Sequence, residues 1–161
     1  MKNVVEWVCE IMWKEKIELI RERRARRNRH LNEGCSQEEI NILQKEVNNK
    51  FQYYLPEDYV EFLSVINGLE YNGLVIYGID EDLIDVENNQ NVTGYIDTNQ
   101  IWYENEEQRE YMFFADNDMS WYCYNINKKT YMELDKPSGE LEQEFDSFAD
   151  MLESALENSL A

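Results

Sequence analysis

The chain has 161 residues, of which 43% are hydrophobic and 13% are aromatic, so it can form one domain with a substantial core and lacks the composition of a disordered protein. Its 34 acidic and 15 basic residues give a net charge of −19, which disfavours binding to nucleic acids and anionic lipids and favours basic protein partners, with solubility alone as the alternative role of the charge. The acidity lies mainly after residue 50, because residues 1–50 contain 11 Lys/Arg and 9 Asp/Glu whereas residues 51–161 contain 4 and 25.

Residues 3–30 are predicted to form one long helix, and Gly34 marks the stop that follows it. Apolar residues recur along it near helical spacing, namely Val4, Val5, Val8, Ile11, Met12 and Ile20, with Trp7 and Leu19 beside them. Six arginines lie near its C-terminal end, at positions 21, 23, 24, 26, 27 and 29, where cations complement the helix dipole. They encircle the helix, so we interpret them as a solvated helix end, docked on the acidic body of the protein, and not as a nucleic-acid site.

Two shorter helices follow. Ser36 and Glu39 have the spacing of a capping box, in which each side chain accepts a hydrogen bond from the backbone N–H of the other residue. The helix that begins there is predicted to end at residues 48–49, and its apolar face consists of Ile40, Leu43 and Val47. Pro56 opens the next helix, which residues 67–68 close. Its apolar face consists of Tyr59, Phe62, Leu63 and Ile66.

The second half of the chain is richer in strands. The predicted elements are a buried strand at 73–78, a loop at 79–94 with a short turn at 82–86, a helix at 96–109, a strand at 111–115, a hairpin of strands 121–126 and 130–134, a loop at 137–139 and an amphipathic helix at 145–160. Strands that follow one another in tandem pair antiparallel, so the predicted fold class is α+β. We expect one domain over residues 1–161, with a helical extension at 1–34 and a core at 35–161.

The residues that carry catalytic or metal chemistry do not form a recognisable motif. The one histidine, His30, lies among arginines, and the three cysteines, Cys9, Cys35 and Cys123, are too scattered for a standard zinc site. A calcium loop begun at Asp116 or at Asp80 places unsuitable residues at ligand positions. The chain also lacks a glycine-rich phosphate loop. We therefore predict no catalytic, cofactor or metal site, while a hydrolase with a carboxylate pair stays an alternative.

Aromatic residues set among acidic ones predict a protein-binding surface. In alternating strands about half of the side chains face outward, and aromatic anchors ringed by charge suit an interface. The alternative for each aromatic residue is a place in the core. The predicted contact residues are Glu104, Glu106, Glu107, Asp116, Asp118, Trp121, Tyr122 and Tyr124.

Three features predict a cytoplasmic location. An odd number of cysteines without a CxxC motif indicates free thiols in a reducing compartment. Acidic residues interrupt the apolar positions near the N-terminus, unlike in a signal peptide. No apolar run approaches the roughly 18 residues that cross a membrane. We expect no membrane or nucleic-acid partner, and either a monomer or a homodimer formed through the first helix.

The segment from Leu55 to Gly68 carries a family resemblance. Its pattern, Leu55-Pro56-x-x-Tyr59-x-x-Phe62-Leu63-x-x-x-Asn67-Gly68, resembles the signature of the SUKH superfamily, and most closely its bacterial immunity proteins of the YrhA-like branch. The likeness continues through the later strands to the C-terminal helix and covers roughly residues 35–157. It implies a curved, mainly antiparallel sheet flanked by helices, with the long N-terminal helix outside the core pattern.

The resemblance also implies a function. Bacterial members typically neutralise secreted toxin domains, often nucleases, by binding them, which implies an immunity protein without catalytic activity. The chain departs from the family at Met119, Ser120 and Asn125, where glycines and an aspartate are common. Because the binding surface of the family varies with each toxin, no contact residue is carried over from it. A non-catalytic regulatory or scaffold module is the alternative.

Overall fold

A computed structural model describes residues 4–84 and 91–161, apart from the side chains of residues 5–11. The helices are α1 (Val4–Ala25), α2 (Gln37–Phe51), α3 (Glu57–Val65), α4 (Tyr95–Trp102), a 3-10 helix (Glu106–Glu110) and α5 (Phe148–Leu160). The strands are β1 (Leu69–Tyr71), β2 (Leu74–Ile76), β3 (Tyr111–Asp116), β4 (Ser120–Asn125), β5 (Thr130–Asp135) and β6 (Leu141–Phe145). The strands form one antiparallel sheet in chain order, which confirms the α+β prediction. The β3–β4 and β5–β6 pairs each contain a register shift, with the extra residue at Phe114 in β3 and at Glu142 in β6, and such bulges bend a sheet.

Among the described side chains of α1, the predicted apolar face is confirmed at Ile20 and wrong at Val4 and Met12. Trp13, Ile17 and Ile20 are fully buried, at helical spacing. Met12 and Leu19, which the sequence placed on the apolar face, are 41% and 38% exposed. The neighbours decide which face is buried: α1 packs against α5, and the ring of Trp13 lies 6.0 Å from that of Phe62 in α3. The helix also ends at Ala25, earlier than predicted. The part of the predicted apolar face within residues 5–11 lies outside the described side chains.

The predicted capping box of α2 is confirmed. The N–H of Glu39 donates to Ser36 Oγ at 3.1 Å, and the N–H of Ser36 donates to Glu39 Oε1 at 2.9 Å. The three residues predicted for the apolar face of α2 are all buried. The helix runs past the predicted end because Gln52 closes it in the left-handed conformation, with its N–H bonded to the carbonyl of Asn48.

Replacing Ser36 with alanine should lower the free energy of unfolding by about 1 kcal/mol, because it leaves one N–H at the start of α2 without a partner. Urea denaturation measures this change. Gln37→Ala, at an exposed position in the same turn, is the matched control and should change stability by no more than about 0.5 kcal/mol. Equal losses for the two variants would contradict a role for the cap.

The segment from Leu55 to Gly68, which carries the family resemblance, connects α3 to the sheet. Pro56 caps α3, and the hydroxyl of buried Tyr59 donates to the carbonyl of Tyr77 at 2.6 Å. The side-chain oxygen of Asn67 accepts from the N–H of Ile79 at 2.8 Å. Gly68 has φ 75°, which a side chain rarely allows. Backbone geometry and hydrogen bonds thus hold these residues in place.

The strand predicted at 73–78 is β2, whereas the two edge strands, β1 and β6, were not predicted from the sequence. β1 and β2 form a hairpin across Asn72 and Gly73, which have φ values of 49° and 85° and so suit a type I′ turn. At the other edge, Phe145 is the last residue of β6 and not part of α5, contrary to the prediction. The other four residues of β6 are exposed and give no alternating pattern, so the strand was not apparent, and α5 begins at Phe148 after its N-cap residue Ser147.

The remaining predicted elements match with small changes. The helix predicted at 96–109 is α4 followed by the 3-10 helix, and the predicted hairpin is β4–β5. Asn125 shapes the turn of that hairpin, since its side-chain oxygen accepts from the N–H groups of Asn127 at 3.0 Å and Lys128 at 2.9 Å. Of the turn predicted at 82–86, residues 82–84 are turn and bend, and the rest lies outside the described residues.

Candidate partner-binding surface

The three predicted acidic residues that follow α4 lie on the surface. Glu104, Glu106 and Glu107 are all exposed. Asn105 opens the 3-10 helix between them by accepting a hydrogen bond from the N–H of Glu107 at 3.1 Å. The hydroxyl of Tyr103 donates to a backbone carbonyl of β3 and ties this segment to the sheet. The charges therefore stand on a turn that the fold holds in place.

Asp116 is engaged within the protein. Lys136 Nζ donates to Asp116 Oδ1 at 3.1 Å, and the hydroxyl of Tyr77 donates to Asp116 Oδ2. The same ammonium lies 5.1 Å from the ring centroid of Trp102 and 5.7 Å from that of Trp121, where the faces of the rings attract a cation. The carboxylate of Asp116 thus has a local counter-charge, and the cluster joins α4 to strands β3 and β4.

Two of the predicted aromatic anchors are core residues. Trp121 is 5% exposed and Tyr122 is 1% exposed. The ring of Trp121 packs against Trp102 at 5.6 Å and against Phe113 at 6.1 Å. All residues from Ser120 to Cys123 are buried, so both faces of this part of β4 are covered. The prediction assumed that one face of the strand meets solvent, and neither side chain offers surface to a partner here.

The remaining two predicted residues lie apart from each other. Tyr124 is half-buried, and its ring packs against that of Tyr131, which lies directly opposite in β5, with centroids 4.8 Å apart. Side chains alternate along a strand, so Tyr122 and Tyr124 share one face of β4 while Trp121 faces the other way. Asp118 is exposed in the turn between β3 and β4, where the side chain of Asn117 accepts two backbone hydrogen bonds.

Two exposed apolar side chains, absent from the prediction, flank these acids. Met119 is 74% exposed and Ile101 is 58% exposed. Ile101 precedes Trp102, whose contact with Trp121 places the end of α4 beside the start of β4. The helical spacing from polar Asp97 to Ile101 is a signal that could have indicated its exposure. We name these residues together the α4–β4 surface: Ile101, Glu104, Glu106, Glu107, Asp118 and Met119.

A cluster of three carboxylates, on Asp80, Asp82 and Asp97, has ligand atoms within 4.8 Å of one another. The geometry shows what Asp80 does there. Its two carboxylate oxygens accept from the N–H of Ile96 at 2.9 Å and of Asp97 at 2.8 Å, so it caps the start of α4. Gly94 leaves room for this contact, because a Cβ there would lie 2.3 Å from Asp80 Oδ2. The carboxylate of Asp80 therefore serves as a helix cap, and the other two carboxylates of the cluster are exposed.

The stability contributed by Asp80 should fall as the pH rises. Burial raises the pKa of this carboxyl above its ordinary value of 3.8, against the smaller opposing effect of its hydrogen bonds to backbone N–H groups. The native protein therefore holds the proton to a higher pH than the unfolded chain does. The contribution is complete below the ordinary pKa and declines as the pH rises through the native pKa.

Urea denaturation over a pH series tests this prediction. The free energy of unfolding of the wild type minus that of Asp80→Asn should decrease from acid to neutral pH. Asp118→Asn, at an exposed carboxylate, is the control. A difference between the wild type and Asp80→Asn that grows with pH would contradict the prediction.

The described thiols are poorly suited to nucleophilic chemistry. Cys35 and Cys123 are free and buried, and burial raises the pKa of Cys35 to about 12 and that of Cys123 further. A thiolate is the reactive form of cysteine, so these groups are largely protonated at neutral pH. The predicted free state of these two thiols is confirmed, while Cys9 lies outside the described side chains. His30 is exposed.

Comparisons with known proteins bear on the identity of this fold. No helix in the described part of the chain combines the length and apolarity needed to cross a membrane. A search of the curated proteins found no match. The family model described as SMI1 / KNR4 family (SUKH-1) matches residues 34–154, which include the signature segment and all six strands and leave α1 outside. Because this match covers most of the chain, the protein belongs to the SMI1 / KNR4 family (SUKH-1), as the resemblance to the SUKH superfamily predicted.

Proposed function

We propose that this protein is an immunity protein that binds and neutralises a cognate secreted toxin domain, of the nuclease type, by covering its basic active surface. Membership of the SUKH family supports this assignment, because the family is known for immunity proteins. Placement in the YrhA-like branch and a cytoplasmic location stay predictions. The observation that carries the proposal is the α4–β4 surface, where four exposed acidic side chains accompany two exposed apolar ones.

The chemistry of a nuclease explains why such a surface would inhibit it. A nuclease binds phosphates in a cleft lined with basic side chains. Carboxylates on the α4–β4 surface offer the same negative charge, and complementary charge raises the association rate and favours one orientation of docking. Ile101 and Met119 would then lose water against the toxin and provide the apolar contact that slows dissociation.

The overall charge of the protein supports a basic partner. With a net charge of −19, the chain attracts cationic proteins over distances that exceed direct contact. Inhibition of this kind requires binding and no reaction. Glu104, Glu106, Glu107 and Asp118 stay proposed contact residues, whereas Asp116 and Trp121 would support the surface from below and Tyr122 is buried on the opposite face of β4.

Co-expression with the product of an adjacent toxin gene tests the proposal. Cells that make the toxin domain should survive when this protein is present and die when it is absent. Purified toxin should capture the protein in a pull-down, and added salt should weaken the capture. Equal killing with and without the protein would disprove the immunity function. Capture without protection would instead favour the regulatory or scaffold alternative.

A further inference from the structure

A basic pocket lies at the C-terminal end of α1, on a chain whose remaining surface is strongly acidic. It is an open depression of about 530 Å³ between the end of α1 with its following turn and the β1–β2 hairpin. Its lining includes five arginines and one tyrosine: Arg23, Arg24, Arg26, Arg27, Arg29 and Tyr71. We call it the arginine pocket.

Contacts with the β1–β2 hairpin hold one wall of the arginine pocket in place. Arg24 Nη2 donates to the carbonyl of Glu70 at 2.6 Å, and its guanidinium lies 5.6 Å from the ring centroid of Tyr71. Arg23 Nη1 donates to the hydroxyl of Tyr71 at 3.1 Å. A guanidinium carries five N–H donors, so each of these arginines keeps donors for another acceptor. The docking predicted for the helix end thus occurs through a carbonyl and a hydroxyl.

The positive charge of the pocket has no internal partner among residues 4–84 and 91–161. The ion pairs found there involve Lys14, Lys16, Arg21 and Lys136, and none involves an arginine of the pocket. The helix dipole favours cations in the last turn of α1, but its effect falls off beyond that turn, where Arg26, Arg27 and Arg29 lie. Five like charges around one depression repel one another, and a bound anion would relieve this repulsion.

The size of the pocket and the charge of the body limit the kind of anion. A volume of about 530 Å³ is that of a small-molecule site. The Debye length is about 8 Å at physiological ionic strength, so an anion within the pocket interacts mainly with the arginines. A nucleic-acid duplex would extend over the body of the chain, where residues 51–161 carry 25 acidic and 4 basic side chains. A guanidinium group donates two parallel hydrogen bonds to two oxygens of one phosphate group, so phosphate suits an arginine-lined site.

We propose that the arginine pocket binds a compact anion with several phosphate groups, either inorganic polyphosphate or the phosphate chain of a nucleoside triphosphate. Linked phosphates place several charges within the reach of five guanidinium groups. The site is distinct from the α4–β4 surface and does not depend on the proposed immunity function.

Calorimetric titration of the full chain with sodium tripolyphosphate tests this proposal. Saturable binding is expected at near-physiological salt, and it should weaken as salt is added. The triple variant Arg26→Gln/Arg27→Gln/Arg29→Gln should bind at least about tenfold more weakly, because charge-assisted hydrogen bonds are lost. The control is Lys45→Gln/Lys50→Gln/Lys128→Gln, which changes the net charge equally at exposed positions outside the pocket and should retain the affinity.

Further ligands separate the possible sources of the anion. Binding of ATP without binding of adenosine supports the proposal, and ATP affinity above that of tripolyphosphate identifies a nucleotide as the source. The proposal would be overturned if a short DNA duplex or a hexaglutamate peptide bound more tightly than tripolyphosphate. It would also be overturned if tripolyphosphate showed no saturable binding, or if both triple variants lost affinity equally. Circular dichroism checks that each variant is folded. If the triple variant unfolds, the three single variants replace it, and each should show a partial loss of affinity for tripolyphosphate.

Discussion

Reversing the charge of Glu104, Glu106 and Glu107 to lysine should slow association with a basic toxin domain by about tenfold to a hundredfold at low salt. The three side chains are exposed and follow α4, so lysine is accommodated without burial of charge. The wild-type association rate should fall steeply as salt is added, because screening removes the attraction. The variant should show a weaker dependence on salt. Stopped-flow or surface plasmon resonance measurements give both rates.

A matched variant shows whether position or net charge decides the association rate. Glu140, Glu142 and Glu144 are also exposed but lie on and beside β6, at the far edge of the sheet from β1. Changing these three to lysine alters the net charge by the same amount. If this variant slows association as much as the first one, the α4–β4 surface is not the docking site. If neither changes the rate, electrostatic steering plays no part.

Asn99→Leu should destabilise the protein by about 3 to 5 kcal/mol, the largest stability effect that we expect from a single polar side chain here. Asn99 is fully buried, and its amide serves the backbone of β3. Its Nδ2 donates to the carbonyl of Phe113 at 3.0 Å, and its Oδ1 accepts from the N–H of Phe113 at 2.8 Å. Leucine would leave both groups of Phe113 buried without a partner.

The sheet topology explains why a side chain is needed at this point. β2 pairs with β3 only at Ala115 and Asp116, so Phe113 has no strand beside it on that side, and the amide of Asn99 takes that place. Chemical denaturation measures the effect. Gln100→Leu, at the exposed neighbouring position in α4, is the control and should change stability by about 0.5 kcal/mol or less. A loss below about 1 kcal/mol for Asn99→Leu would contradict this role.

The interior helices were predictable because their signals are local. The capping box at Ser36 and Glu39 requires only two residues of one turn, and Pro56 fixes the start of α3 by its own geometry. The α+β class was likewise predictable from strands in tandem. The edge strands of the sheet were harder to predict. Strand β6 has no alternating pattern, whereas the Asn-Gly pair between β1 and β2 is a local signal that indicates a hairpin turn.

The candidate surface was predictable in its charge and not in its aromatic anchors. Acidic side chains are costly to bury without a partner, so Glu104, Glu106, Glu107 and Asp118 are exposed as composition alone suggests. An aromatic residue in a strand is stable both in the core and on the protein surface. Trp121 and Tyr122 are buried because other elements cover both faces of β4. The local sequence pattern does not indicate that both faces are covered.

The sequence by itself determined the starts of α2 and α3, the fold class, the family and the excess of negative charge, since each of these follows from neighbouring residues or from composition. The tertiary structure alone decided which face of α1 is buried, which acids are engaged in internal contacts and where the arginines of α1 meet the β1–β2 hairpin. These outcomes depend on contacts between residues far apart in the chain. A side chain that is stable both in water and in the core is buried or exposed according to which distant residues pack against it.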